Sequence, residues 1–258
     1  MSKIIAVANQ KGGVGKTTTT VNLGAALAMQ KKRVCLIDLD PQANMSAYLG
    51  YEEGVSPNIN DMMRFTVQGC NIDEELDLGI LHNEENNVDY IPSDINLSSA
   101  DFYLSQALAR ESVLKRILSS EYFPEYYDYI IIDCLPSLGI LLMNALTAAD
   151  GLIIPVQTQK FALNGLQGLT DVVEQIKNTV NPQLEIIGIL PTMVDNTIMS
   201  RETMAELTNK YRQSVLKTTI SRSVEAAYSA QKCRSLCIDN TKLGEEYKKL
   251  AEEILTKI

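Results

Sequence analysis

A single histidine, His82, among 258 residues argues against a Ser-His-Asp hydrolase centre and against a metal site built on several imidazoles. Apolar runs of bilayer-spanning length are missing. A strand-like run begins by Ile4, so no arginine-rich or apolar leader is expected ahead of it, and the chain is expected in the cytosol. Basic charge is scarce as well. Lys and Arg number 23 against 32 Asp and Glu, a net charge of −9, so any contact with nucleic acid must come from a local patch and not from the whole surface. Cysteines are five, an odd number in a long chain without an export signal, which argues against a disulfide framework. Cys35 and Cys134 lie in or beside strand-like runs and read as small buried hydrophobes. Cys233 and Cys237 have no second pair and no nearby histidine, so a metal site is not expected there.

Apolar residues make up 45% of the chain, enough for a sizeable core. Short β-branched runs alternate with longer helical stretches. Strands are expected at Lys3–Asn9, Arg33–Asp38, Val88–Ile91, Asp128–Asp133, Gly151–Gln157, Glu185–Pro191 and Val215–Ile220. Several, such as Tyr129-Ile130-Ile131-Ile132, are continuously apolar, as strands covered on both faces are. Helices are expected near 16–30, 96–119, 138–149, 162–180, 200–212 and 243–257. This alternation implies an α/β fold, a doubly wound and mostly parallel sheet flanked by helices. No linker divides the chain, so residues 1–258 are expected to form one domain. The polar segment 50–87 reads as small helices and loops over a sheet edge. The last helix carries an apolar stripe from Leu243 through Tyr247, Leu250 and Ile254 with mixed charge opposite. A membrane-surface helix carries basic excess, so packing against the domain is expected and no membrane contact.

The run Asn9-Gln10-Lys11-Gly12-Gly13-Val14-Gly15-Lys16-Thr17-Thr18 follows an apolar strand and opens a helix, the setting a phosphate loop requires. Its glycines let successive backbone N–H groups converge on phosphate oxygens, and the helix adds its positive dipole end. Gly12, Gly13, Val14, Gly15, Lys16, Thr17 and Thr18 are therefore expected to bind nucleotide. Lys16 reaches the β- and γ-phosphates, and the Thr17 hydroxyl ligates magnesium. Gln10 stands where the general pattern has glycine, and an extra lysine, Lys11, precedes the glycine pair. A second strand ends in Asp38-Leu39-Asp40-Pro41-Gln42-Ala43-Asn44, with alternation placing both carboxylates on one side. One can serve magnesium and the other can orient water. A third strand ends at Asp133, the position of a second metal-side carboxylate.

These motifs resemble the ParA/Soj branch of the phosphate-loop ATPases with a second, early lysine. The resemblance spans nearly the whole chain, in a small form without an N-terminal helix-turn-helix domain. It implies ATP and Mg2+ as cofactors, slow ATP hydrolysis, and an ATP-dependent homodimer in which Lys11 reaches the partner's phosphates. By the same resemblance Asp40 positions the attacking water and Asp38 supports the metal region, so Lys11, Lys16 and Asp40 are the catalytic candidates and Thr17, Asp38 and Asp133 the metal candidates. Leu135 replaces a proline of the family's D-C-P-P-S motif. Ala162-Leu163-Asn164-Gly165 resembles the segment after the next strand, with Asn164 where Glu is common. The family binds DNA non-specifically, partitions chromosomes, plasmids or mobile elements, and is stimulated by a ParB-type activator, which implies a nucleoid-associated ATP state. Ile220-Ser221-Arg222-Ser223-Val224 resembles its I-P-R-N-V stretch. Arg222 is thus the leading DNA-contact candidate, with Lys217, Lys232 and Arg234 nearby. Arg201 stands close to where another arginine is expected, and Glu225 occupies a commonly basic place. Two other readings stay open: a related ATPase that positions a non-DNA cargo, or one that acts at the membrane. An electron donor of the nitrogenase iron-protein type would need a second cysteine besides Cys134 for a shared cluster.

Overall fold

A computed structural model describes residues 2–52, 54, 57–160, 164–239 and 241–258. Seven strands make one sheet in the order β3-β4-β2-β5-β1-β6-β7. The strands are β1 (Lys3–Val7), β2 (Val34–Leu39), β3 (Leu81–Asn83), β4 (Val88–Ile91), β5 (Tyr129–Cys134), β6 (Gly151–Gln157) and β7 (Glu185–Thr192). All pairings are parallel except β3 with β4, an antiparallel hairpin at the edge.

Helices cover both faces. They are α1 (Lys16–Met29), α2 (Asn44–Tyr48), α3 (Ile59–Gln68), α4 (Asp73–Gly79), α5 (Ala100–Ser105), α6 (Val113–Leu118), α7 (Tyr122–Tyr126), α8 (Ile140–Ala148), α9 (Asn164–Thr179), α10 (Ile198–Tyr211), α11 (Glu225–Gln231) and α12 (Lys242–Leu255). The twofold period of a strand sends neighbouring side chains to opposite faces. In β5, Ile130 and Ile132 enter the core under α3, α6, α8 and α9, while Ile131 enters the one under α1 and α12. This is why the strand reads as an unbroken apolar run.

Three expectations change. Val215–Ile220 is not a strand: it meets β7 through an isolated bridge of Val215 with Ile189 and through the Leu216 and Ile220 amides, which donate to the Ile189 and Pro191 carbonyls at 2.9 Å, without forming a full ladder. The stretch 96–119 is not one helix but a 3-10 turn (Ile95–Ser99) leading into α5 and a second one (Arg110–Ser112) leading into α6. Asn144 on α8 holds that break, accepting a hydrogen bond from the Leu114 amide at 3.0 Å and donating to the Arg110 carbonyl at 2.8 Å. The hairpin strand β3 has no counterpart among the expected strands, because three residues give no readable alternation. Ala162 and Leu163 lie outside the described residues. Among the described residues, no helix is long and apolar enough to cross a membrane.

Candidate functional site

The chain runs from β1 out to β2 on one side and, later, from β5 over β1 to β6 on the other. Such a reversal opens a crevice at the carboxyl ends of the strands. The loop 8–15 leaves β1 into that crevice. Two of its glycines are required by the backbone: Gly13 (φ 71°) and Gly15 (φ 88°) lie in the left-handed region, where a side chain is strained. A Cβ on Gly12, Gly13 or Gly15 would meet nothing within 4 Å, so the main chain there faces open space. Two side chains, one at the start of the run and one on β7, clamp the loop. Asn9 donates to the Pro155 carbonyl at 2.7 Å and accepts from the Lys11 amide at 3.0 Å. The Thr192 hydroxyl, at the end of β7, donates to the Val14 carbonyl at 2.8 Å.

Two strand ends, those of β2 and β5, deliver the acidic side. Asp38 and Asp133 are register partners across β2 and β5. The Thr17 hydroxyl donates to one Asp133 oxygen at 2.6 Å, and the Thr20 hydroxyl lies 3.4 Å from the other. Burial, then the Asp38 charge, pushes the Asp133 carboxyl up to about 8, although Thr17 and Lys16 act against the shift. Burial likewise raises Asp38 to about 6. Lys16 is buried, and desolvation pulls its ammonium below the ordinary lysine range against the attraction of Asp133 and Asp40. Its Nζ donates to the Lys11 carbonyl at 3.4 Å.

Asp38 and Asp40 do not act as a matched pair. β2 ends at Leu39, so the alternation that would align them stops between them. The Asp38 carboxylate is occupied inside the protein, accepting from the Asp40 amide (3.1 Å), the Ser46 amide (2.8 Å) and the Ser46 hydroxyl (2.7 Å). Asp40 accepts from the Gln42 amide at 2.9 Å, an Asx turn that fixes its carboxylate near the crevice. Thr20, Ser46 and Thr192 were not readable as site residues, and Asn9 was read as part of the loop but not as its clamp. For Thr20 a signal exists: it stands four residues after Lys16, one helical turn on, facing the same way.

A family model for an AAA domain matches residues 2–186. The sporulation initiation inhibitor protein Soj of Bacillus subtilis is 40% identical over 259 residues, covering 98% of each chain. The chain belongs to the ParA/Soj family of partitioning ATPases. Among solved structures, cobyrinic acid a,c-diamide synthase from Mycobacterium smegmatis with bound ADP and magnesium superposes with a TM-score of 0.84 at 32% identity, covering 99% of this chain and 94% of that one. A plasmid partition protein from Borrelia burgdorferi bound to AMPPNP gives 0.82 at 29% identity over the full length of both. Homologous structures thus hold ADP or an ATP analogue, with magnesium in the diamide synthase.

The basic residues expected from ParA/Soj proteins fall into three neighbourhoods. Arg222 and Arg201 flank one turn: an Arg222 Nη1 lies 3.9 Å from Asp195 Oδ2, and Arg201 donates to the Asn196 carbonyl at 3.5 Å. Lys217 sits beside α12, its amide held by Glu253 at 2.8 Å. Lys232 caps the end of α11. Arg234 lies 2.9 Å from Glu85 and 3.6 Å from Asp239, beside the β3–β4 hairpin. Spacing along the chain could not show these acidic neighbours, because each comes from another element or a later turn.

Proposed function

We propose that residues 1–258 form one ATP-driven partition switch that binds Mg-ATP at the crevice, dimerises on it, binds DNA non-specifically and hydrolyses ATP slowly. The observation that carries the reading is the Thr17 hydroxyl 2.6 Å from a buried Asp133, beside an open glycine loop and a buried Lys16. Two crowded carboxylates raised by burial, with hydroxyl and carboxylate oxygens as the donors, suit a hard divalent cation. Thr17 and Asp133 would hold magnesium, which supplies charge neutralisation at the phosphates. The amides from Gly12 to Thr18 and the Lys16 ammonium would hold the phosphates. A cavity of about 250 Å³ lined by Gly15, Thr18, Thr192, Met193 and Tyr247 adjoins the loop and suits the base. Asp40, held by its own turn, would orient the attacking water. Asp38 supports the metal side through its charge and not as a free ligand.

Lys11 follows the clamped Asn9 at the mouth of the loop, and its proposed role is to reach the nucleotide of a second copy. Arg222 leads the proposed DNA contacts. A ParB-type activator is the proposed partner, and the working location is the cytosol, on the nucleoid in the ATP state. Gel shifts with ATP, with ADP and with Lys16→Ala test this: retarded DNA only with ATP and intact Lys16 supports it, and nucleotide-independent binding contradicts it. Lys11→Ala is expected to bind nucleotide yet stay monomeric in sedimentation with ATP. One observation favours a second reading, a related switch for a non-DNA cargo: Arg222 and Arg234 each have an acidic neighbour, which weakens their draw on phosphates. ATP-dependent dimers that leave DNA unshifted would support it.

A further inference from the structure

Behind the crevice runs a line of buried polar contacts that nucleotide binding itself does not require. It starts at Asp38, whose carboxylate holds the amide and hydroxyl of Ser46 on α2. The Ser46 oxygen is fixed in turn by the Ser93 amide at 2.8 Å. Two residues along α2, Tyr48 is buried and its hydroxyl shares a hydrogen bond of 2.5 Å with Ser229 on α11. The same hydroxyl accepts from Asn22 on α1 at 3.4 Å. Asn22 also donates to the carbonyl of Thr18, at the foot of the phosphate loop, at 2.7 Å. Its oxygen accepts from the Ser235 hydroxyl (2.8 Å) and the Leu236 amide (2.7 Å) just beyond α11. Both the Asp40 turn and the loop helix are therefore tied by directional bonds to one short surface helix.

The two ends of this line differ in kind. At the inner end are the carboxylates and the loop. At the outer end α11 turns large groups to solvent: Val224 at its start is 74% exposed and Tyr228 60%, with Arg222 two residues before. α2 has only five residues, so a turn of helix this short is held by its contacts and not by its own hydrogen bonds. A satisfied polar network fixes one arrangement sharply, and hydrogen bonds weaken steeply once misaligned. A change at the Asp40 turn therefore reaches Tyr48 through a rigid unit, not through a deformable apolar contact.

We propose that α2 is a relay that couples the nucleotide end to α11, with Tyr48 and Ser229 as positioning residues at the joint between them. The relay rests on the nucleotide-switch reading above, and it names how that switch would alter the exposed face of α11 beside Arg222. Coupling of this kind typically amounts to about 5- to 150-fold between two ligands.

The chain contains no tryptophan, so Val224→Trp supplies a single emission reporter at the start of α11. Labelled-nucleotide titration first establishes uptake of Mg-ATP and Mg-ADP, and the reporter's emission is then recorded with each. The expected result is different emission in the two states, and loss of that difference when Tyr48→Phe or Ser229→Ala is added, with uptake of both nucleotides retained. Tyr48→Phe keeps the buried ring, and Ser229→Ala removes the other side of the same bond, so one variant checks the other. A merely structural role lowers the melting temperature but leaves the ATP–ADP difference intact, and that result overturns the relay. So does a reporter protein that takes up both nucleotides with one emission. A folded reporter that takes up neither overturns the switch reading, and the relay with it.

Discussion

The crevice at the strand ends and the segment from Met193 to the end of α11 lie side by side yet are built by different rules. In the crevice Asp38 and Asp133 sit at buried strand ends, Lys16 and Thr17 in the first turn of α1 and Asp40 in the turn beyond β2, and the buried charges act on one another, Asp38 raising Asp133 while Lys16 opposes the shift. In the later segment the chain meets β7 through isolated bridges and a few backbone hydrogen bonds and forms no full ladder, and Arg222 is largely exposed beside Asp195 of the same segment. A buried site of the first kind tolerates little change in residue or spacing, because desolvation multiplies each interaction. A solvated patch of the second kind tolerates much, because each pair there contributes little.

The sharpest way to break this contrast is Asp40→Ala. Losing a group that orients the attacking water is expected to slow hydrolysis by roughly 100- to 10,000-fold while leaving nucleotide bound, as single-turnover phosphate release measures; normal turnover would remove Asp40 from the chemistry. Lys16→Ala is expected to weaken Mg-ATP by about 100-fold, or about 3 kcal/mol, the upper range for a hydrogen bond to a charged group. Calorimetric titration checks it, and unchanged affinity would mean that the loop holds no triphosphate.

A third test concerns packing where α12 meets the later segment. A Cβ on Gly244 would lie 2.1 Å from the Leu236 backbone oxygen. Gly244→Ala is therefore expected to cost about 1–3 kcal/mol, although alanine is the better helix former by about 1 kcal/mol. Thermal melting decides the sign, and a raised melting temperature would mean that the two backbones can move apart.

The fourth is a pH effect on the crevice alone. Asp133 and Asp38 titrate near 8 and 6 when folded, against the ordinary 3.8. The folded state therefore holds more protons than the unfolded one from about pH 4 upward, so stability falls as pH rises through this range and levels off above about 8. With chelator present, melting is expected higher at pH 6 than at pH 8, by at most about 1.4 kcal/mol per pH unit for one proton. Asp133→Asn flattens the slope; an unchanged slope in that variant would place the titration elsewhere. The smallest effect belongs to the exposed side of the comparison. Arg222→Glu is expected to reduce DNA retention modestly and to lower the salt dependence by about 0.9 for each phosphate that the side chain no longer neutralises, with ATP affinity intact. An equal salt slope would show that Arg222 meets no phosphate.

Legibility followed the same divide. The strands β1 and β5 could be read because local chemistry and burial point one way: unbroken apolar runs that close on a glycine-rich turn or on a carboxylate. Val215–Ile220 looked the same but lacks a full ladder, and apolar character alone does not report whether a neighbouring strand is in reach. Asp38 was legible as a buried acid at a strand end but not as the group that holds Ser46, since the segment's fold-back is a tertiary event.

By itself the sequence determined the alternating α/β pattern, the glycine loop with Lys16 and Thr17, and the acids that end β2 and β5, because each depends on residue type and on spacing of a few residues. Only the tertiary structure decided that Asp38 turns inward while Asp40 stays at the crevice, that the basic residues are shared among three neighbourhoods, and that Asn22, Tyr48 and Ser229 meet. Those contacts join positions up to 181 residues apart, and nothing in local propensity fixes which distant polar group will be waiting when the helices close over the sheet.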